Sequence, residues 1–332
     1  MNEIQAILSQ LEREPDAAWA LATLVHVEGS SYRRVGARLL VNMEGQWLGS
    51  ISGGCLESDV IARAQEVLAD GEAQVAVYDT TDENDLVWGT GTGCNGVVSI
   101  LIERLAQRPG WIDTLRQNLA ARKTSALRVV WKSTDASLLG THESDQFLKG
   151  LRTGSAVLED KIEPLIRLLV FGAGDDAQPL AKMAGELGWL VEVSDGRPGY
   201  ATAARFPGVE KVTVNQPENA VNITLDPWTV AVVMSHRYRD DVELVRALLP
   251  RELPYVGLLG PKVRAERILA DLEKQGLAIT VEMRERLHGP VGLDLGGQTP
   301  ETVALSILAE IQAFLAVSDS QPLRAKKRPI HT

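Results

Sequence analysis

The run Leu168-Leu169-Val170-Phe171-Gly172-Ala173-Gly174, with Ala177 three residues further on, constrains the fold more than any other part of the chain. A short apolar strand leads into Gly-x-Gly-x-x-Ala, and helical spacing then runs from Ala177 to Leu187. In such a loop Gly172 makes the tight turn, Gly174 lets a phosphate approach the backbone, and Ala177 allows close helix–sheet packing. A second strand, Leu190–Val193, ends in Ser194-Asp195. An acid about 20 residues beyond the glycines can bond a ribose 2′-hydroxyl and favours NAD over NADP. Further strands are expected at Lys211–Val214, Val230–Met234 and Tyr255–Leu259, with helices at 240–249, 262–274 and from Thr299 or Pro300 to Phe314. Strands alternating with helices imply a doubly wound parallel sheet, so residues 166–316 read as a Rossmann-type domain. Asp175 and Asp176 complicate the ligand. Carboxylates at a helix N-terminus satisfy its dipole themselves and repel a pyrophosphate, or simply cap the helix.

A length of 332 residues leaves room for about one more domain. Residues 1–105 read as an α/β unit: a helix over 2–13, a buried strand over Ala18–Val27, strands at Ala37–Met43 and Gln46–Ile51, a helix over Leu56–Ala69, and strands at Val75–Tyr78 and Val97–Ile102. Residues 106–165 are less regular. A helix at Trp111–Arg122 and a strand at Ala126–Trp131 precede a polar, turn-rich stretch over 133–164, so a variable, flexible extension and linker is expected. Residues 317–332 carry Arg324-Ala325-Lys326-Lys327-Arg328 and read as a solvated basic tail.

A net charge of −10 argues against nucleic-acid partners and anionic membranes. No stretch reaches the roughly 20 apolar residues of a membrane helix, and the acidic start MNEIQAILSQLEREPD is unlike a signal peptide. The only cysteines are Cys55 and Cys94. Such scarcity suits a reducing compartment, so a cytoplasmic location is expected.

Two loops in the first domain carry unusual chemistry. Gly29-Ser30-Ser31-Tyr32-Arg33-Arg34-Val35-Gly36 combines hydroxyls with guanidinium groups and suits an anion such as phosphate, unless it is only a charged hairpin. In Ser52-Gly53-Gly54-Cys55-Leu56-Glu57, Cys55 opens a helix, where thiolate is stabilised, so this thiol is expected to be more reactive or metal-ready than a buried one. Cys94 lies in a second glycine loop, Gly89–Gly96, ahead of a strand. Lone cysteines are often small core residues, and the spacing is that of no zinc finger.

These residues, taken together, resemble the XdhC/CoxI family of molybdenum-cofactor maturation factors, accessory to xanthine dehydrogenase-type and carbon monoxide dehydrogenase-type enzymes. The resemblance rests on Gly29-Ser30-Ser31-Tyr32-Arg33-Arg34-x-Gly36-Ala37, Gly49–Glu57, Gly91-x-Gly93-Cys94, Phe171–Leu180, Asp195-x-Arg197-Pro198, Arg205-Phe206-Pro207, His236-x-Tyr238, Tyr255–Gly260 and Gly292-Leu293-Asp294-x-Gly296 followed by Thr299-Pro300-Glu301. It implies a chaperone that binds molybdenum cofactor (molybdopterin), supports its sulfuration and delivers it to a molybdenum hydroxylase apo-enzyme, with a cysteine desulfurase as a further partner. Carried over, Cys55 would be the leading molybdenum-site thiol, with Ser30, Ser31, Arg33, Arg34, Gly53, Gly54 and Cys94 around the cofactor. Gly172, Gly174, Asp176, Asp195, Arg197 and His236 would line the second-domain crevice, for a nucleotide or NAD(P). The chain departs from the family pattern at Asp175, where histidine is usual, at Asn95 in place of glycine, and at Gln298 in place of an acid. Shelter for a labile cofactor and the prevalence of two-fold assemblies lead us to expect a homodimer.

Other functions fit the same residues. An NAD(P)-dependent oxidoreductase would use His236 as acid/base beside the crevice, unless His236 only bonds the backbone there. A nucleotidyl- or sulfur-handling enzyme would use Cys55. Asp175, Asp195, His236 and Asp294 are expected near the carboxyl edge of the sheet. A divalent ion, with a nucleotide, would relieve their mutual repulsion, and so would an arginine such as Arg197.

Overall fold

The computed structural model describes residues 3–81, 96–105, 109–143 and 151–325. Cys94 and the basic residues Lys326, Lys327 and Arg328 lie outside that set. The chain forms two compact units that divide at Leu165.

The first unit is built on a five-stranded antiparallel sheet, formed by β1 (Trp19–Gly29), β2 (Arg38–Asn42), β3 (Trp47–Gly49), β4 (Gln74–Asp79) and β5 (Gly96–Leu105), in the order β3-β2-β1-β5-β4. Alternation along β1 assigns its two faces. Ala20, Ala22 and Leu24 join the core formed with Val60, Ala64 and Val67 of α2 (Glu57–Asp70). Trp19 and Leu21 join Ile4, Ile7 and Leu11 of α1 (Glu3–Arg13) and Trp111, Ile112 and Leu115 of α3 (Gly110–Ala120). The sheet is therefore sandwiched between helices.

The strand expected at Ala126–Trp131 is present, but the described part of residues 133–164 corrects one expectation. In place of a flexible linker there is a second antiparallel sheet, β6 (Ser125–Lys132), β7 (Gly140–Glu143) and β8 (Ala156–Ile162), in the order β7-β6-β8. It is fastened to the first sheet by buried polar contacts. Glu103 on β5 accepts from the N–H of Thr141 at 2.9 Å and its hydroxyl at 2.5 Å, and buried Arg38 on β2 pairs with Asp160 at 2.6 Å. Polar residues thus help to anchor β7 and β8, beside Ile162 of β8, which joins the core with Leu21 and Trp111.

The second unit carries a six-stranded, wholly parallel sheet: β9 (Arg167–Phe171), β10 (Leu190–Asp195), β11 (Lys211–Val214), β12 (Thr229–Val233), β13 (Val256–Leu258) and β14 (Leu287–His288), in the order β11-β10-β9-β12-β13-β14. This is the Rossmann order, with the switch point at the end of β9. Helices α4 (Ala177–Glu186) and α8 (Pro300–Leu315) cover one face through Leu180, Ala184, Ile307 and Ile311. Helices α5 (Tyr238–Leu248) and α6 (Lys262–Lys274) cover the other through Val245, Leu248, Ile268 and Leu272. A short helix, α7 (Val281–Arg286), leads into β14. No helix among the described residues is long and apolar enough to cross a membrane.

Gly172 stands at that switch point with φ +118°, and a Cβ built on it would lie 2.3 Å from the Met234 carbonyl oxygen. Its missing side chain makes room for the chain leaving β12. Gly172→Ala combines a left-handed backbone cost with overpacking against immovable backbone, so a loss of about 2–4 kcal/mol is expected. Thermal unfolding of the variant checks it.

Candidate functional site

In the first unit, the two loops singled out above meet. Ser30, Ser31 and Tyr32, beyond the end of β1, line one pocket with Ile51, Ser52, Cys55 and Leu56, between β3 and α2. Thr80, just after β4, also lines it. Thr80 donates its hydroxyl to the Gly96 carbonyl at 2.7 Å and accepts from the Gly96 N–H, so the ends of β4 and β5 are tied together there. Cys55 is exposed and not in a disulfide. It lies ahead of Leu56, the residue that caps α2, rather than inside the helix. The pocket thus sets the Cys55 thiol beside Ser30 and Ser31, over a largely apolar lining of Leu24, Ile51, Leu56 and Val98.

The glycines around Cys55 do not offer their N–H groups to a ligand. Glu57, buried at the first position of α2, turns its carboxylate back under the loop. It accepts from the Ser50 hydroxyl at 3.0 Å, from the N–H groups of Ile51, Ser52 and Gly53 at 3.1, 2.9 and 3.1 Å, and from Gly54 N–H at 2.8 Å. The Ser52 hydroxyl donates to its other oxygen, Oε2. Burial alone would raise the Glu57 pKa, but the donors, led by Ser52, hold it down to about 2. Gly53 has φ +84°, and a Cβ there would come within 2.8 Å of the Tyr32 ring, so its absence lets the two loops touch.

The arginines expected to hold an anion are placed differently. Arg33 pairs with Glu3 of α1 at 2.5 Å, and Glu3 also accepts the Arg38 N–H at 2.7 Å. Its charge is therefore used in fixing α1 to the sheet. Arg34 is exposed.

In the second unit, Gly172, Gly174, Asp175, Asp176, Asp195, Arg197 and His236 do gather at the carboxyl edge of the sheet. Asp195 is buried, and both its oxygens are engaged. Oδ2 accepts from Ala173 N–H at 2.8 Å and Arg197 Nη2 at 2.7 Å, and Oδ1 from the N–H and Nε of Arg197 at 2.8 and 2.9 Å. Burial alone would raise its pKa, but Arg197 and Ala173 more than offset that and hold it below the ordinary carboxylate value. Four donors of the chain thus occupy the positions a ribose hydroxyl would compete for. Arg197 stacks on the Tyr200 ring at 3.8 Å, and Arg205 pairs with Asp175 at 2.8 Å. Gln216 folds over Gly196, where an added Cβ would lie 2.9 Å from its Oε1. The crevice is lined and partly filled by the chain's own side chains, and its residues do not fit NAD bound through Asp195.

His236 projects from the end of β12 with φ +60° and sets Nε2 3.1 Å from Asp176. The strained backbone is held from beneath: Ser235 accepts the Arg237 N–H at 3.1 Å and donates to buried Asp241 at 2.5 Å, and Asp241 is clamped by Arg264 at 2.5 and 2.9 Å. Asp294 is exposed in its turn. The divalent site expected from Asp175, Asp195, His236 and Asp294 is not formed, since no group of three or more His, Cys, Asp or Glu side chains among the described residues is placed to hold a metal. Arg197 and Arg205 pair with Asp195 and Asp175.

Three residues of these sites are not marked out by the sequence: Thr80, Glu57 and Asp241. An acid in the first turn of a helix that follows two glycines is the available signal for Glu57. Thr80 and Asp241 act through tertiary contacts that leave no local trace.

A sandwich of this kind joined to a Rossmann unit, with paired serine and cysteine loops in one pocket, defines a class of two-domain proteins, and comparison places the chain within it. The XdhC and CoxI family model matches residues 13–79, and the XdhC Rossmann domain model matches residues 168–311. The chain is 32% identical over 330 residues to a protein of Bacillus subtilis named as a probable subunit of xanthine dehydrogenase, covering 94% of this chain and 97% of that protein. It is 24% identical over 292 residues to the "molybdenum cofactor insertion chaperone PaoD" of Escherichia coli, covering 88% and 81%. A solved structure described as a xanthine dehydrogenase from Bacillus halodurans superposes with a TM-score of 0.80 at 30% identity, over 98% of both chains. The chain belongs to the XdhC and CoxI family.

Proposed function

We propose that the chain is a molybdenum-cofactor chaperone, which binds the cofactor at the Ser30–Tyr32 and Ser52–Cys55 pocket and passes it to a molybdenum hydroxylase apo-enzyme. The observation that carries this reading is the exposed Cys55 thiol set in a pocket with Ser30 and Ser31. Thiolate suits a soft metal centre, and the hydroxyls suit the polar pterin and its phosphate. Bound there, the cofactor would supply the redox-active metal that the client enzyme uses. This chain's residues would hold it and release it. The relatives named as a molybdenum cofactor insertion chaperone and as part of a xanthine dehydrogenase support the pathway.

Support for sulfuration, a cysteine desulfurase partner, a cytoplasmic location and a homodimer belong to the same proposal. The reading of an NAD(P)-dependent oxidoreductase with His236 as acid/base is disfavoured by Asp195, whose acceptors are taken by Ala173 and Arg197. Incubation with released molybdenum cofactor, with NAD(H) and with nucleotides, followed by gel filtration and fluorescence, separates the readings. Pterin fluorescence retained with the protein is expected. Saturable hydride transfer with NAD(H) would overturn the proposal.

A further inference from the structure

Glu57 stands out from every other charged group near the pocket, because it touches no ligand position and yet organises the whole loop that carries Cys55. The N–H groups of Ile51, Ser52, Gly53 and Gly54 converge on one point, as in the backbone nests that bind phosphates and other anions. Here that point is already filled by a carboxylate of the chain. The Ser50 and Ser52 hydroxyls donate to the same group, and Ser52 Oγ accepts the Leu56 N–H at 2.9 Å. Loop, carboxylate and the start of α2 therefore form one hydrogen-bonded unit, with Cys55 between Gly54 and Leu56 at its outer rim.

We propose that Glu57 is a positioning residue of the cofactor site, filling the Ser50–Gly54 nest so that Cys55, and not the glycine N–H groups, is the group the loop presents to a soft, thiol-binding metal centre. This rests on the reading of Cys55 as a cofactor ligand. It also assigns the cofactor phosphate elsewhere, to the Ser30 and Ser31 side of the pocket, since an anion cannot enter a nest that holds a carboxylate. Glu57→Gln keeps the size of the side chain but aims an amide NH₂ at N–H and O–H donors, so the loop must open.

The test uses the full chain, with Glu57→Gln compared to wild type at a temperature where circular dichroism shows both folded. Two quantities are read: the rate of Cys55 alkylation by iodoacetamide, followed on the Cys55 peptide by mass spectrometry, and the molybdenum cofactor retained after gel filtration. The expected result is a severalfold change in alkylation rate and a roughly 10–100-fold loss of cofactor affinity, the range for groups that hold a metal ligand in place. If Glu57→Gln does not fold, Ser52→Ala takes its place, because it removes the hydroxyl that bridges Glu57 and Leu56 and should move both readouts in the same direction. A folded variant with wild-type alkylation and retention, beside a Cys55→Ser variant that loses the cofactor, overturns the positioning role alone. Retention unchanged in Cys55→Ser overturns instead the reading of Cys55 on which the proposal rests.

Discussion

Replacing Cys55 with serine is expected to abolish retention of the molybdenum cofactor while leaving the fold intact. The side chain is exposed, and serine is close to it in size, so stability should move by no more than about 0.5 kcal/mol. What is lost is the soft ligand. A hydroxyl is a hard, weakly acidic donor that does not replace thiolate at a soft metal. Bound pterin, measured by fluorescence after gel filtration, should fall at least about tenfold, equivalent to about 1.4 kcal/mol. Equal cofactor stoichiometry in variant and wild type would remove Cys55 from the site.

The second large effect is structural and lies in the other unit. Asp241 is 0% exposed, and its charge is met by Arg264 and by the Ser235 hydroxyl. Arg264→Leu leaves that carboxylate buried without its counter-ion. Removing one partner of a buried pair costs about 3–5 kcal/mol. For a unit of this size each kcal/mol moves the melting temperature by roughly 2–4 °C, so a fall on the order of 10 °C is expected. The same change loosens Ser235 and the left-handed backbone of His236, and hydrogen exchange at Arg237 N–H should rise with it. A melting temperature within a degree of wild type would show that the clamp is not needed.

Acid exposes the role of Glu57 in stability. Its folded pKa of about 2 lies below the ordinary carboxyl value of 4.5. The stabilisation it contributes is therefore present above about pH 4.5 and is lost as the pH falls through about 2, with a full size of about 3 kcal/mol. The gap in unfolding free energy between wild type and Glu57→Gln should narrow steadily between about pH 5 and about pH 2.5. A gap independent of pH would mean that the carboxylate's charge is not what the loop uses.

Elements with an apolar period were legible in the sequence. The strand at Leu168–Phe171, the helix from Ala177 and the helix at 262–274 all stand close to where periodicity puts them, because each buries a continuous apolar face. The strands β7 and β8 were not legible. The β7 residues Gly140-Thr141-His142-Glu143 are largely polar, β8 (Ala156–Ile162) groups Val157 and Leu158 ahead of Glu159-Asp160-Lys161 without strict alternation, and both strands are tied to Glu103 and Arg38, distant in sequence. The short α7 and β14 have too few residues to show a period. At the candidate site, the glycine loops and Cys55 announced themselves by residue type. Their mutual approach did not, and neither did the direction in which the glycine N–H groups point. Arg33 and Asp195 show the same limit: a charged residue in a suggestive motif reads as a ligand contact until its partner, Glu3 or Arg197, is seen.

The chaperone role is tested most directly by transfer. The protein is loaded anaerobically with molybdenum cofactor, separated from excess by gel filtration, and mixed with an apo-form molybdenum hydroxylase, whose activity is followed over time. Cofactor should elute with the wild-type chain and activate the apo-enzyme, and the Cys55→Ser variant carried through the same steps should deliver none. A wild-type chain that elutes without pterin fluorescence and leaves the apo-enzyme inactive would contradict a role in carrying the cofactor.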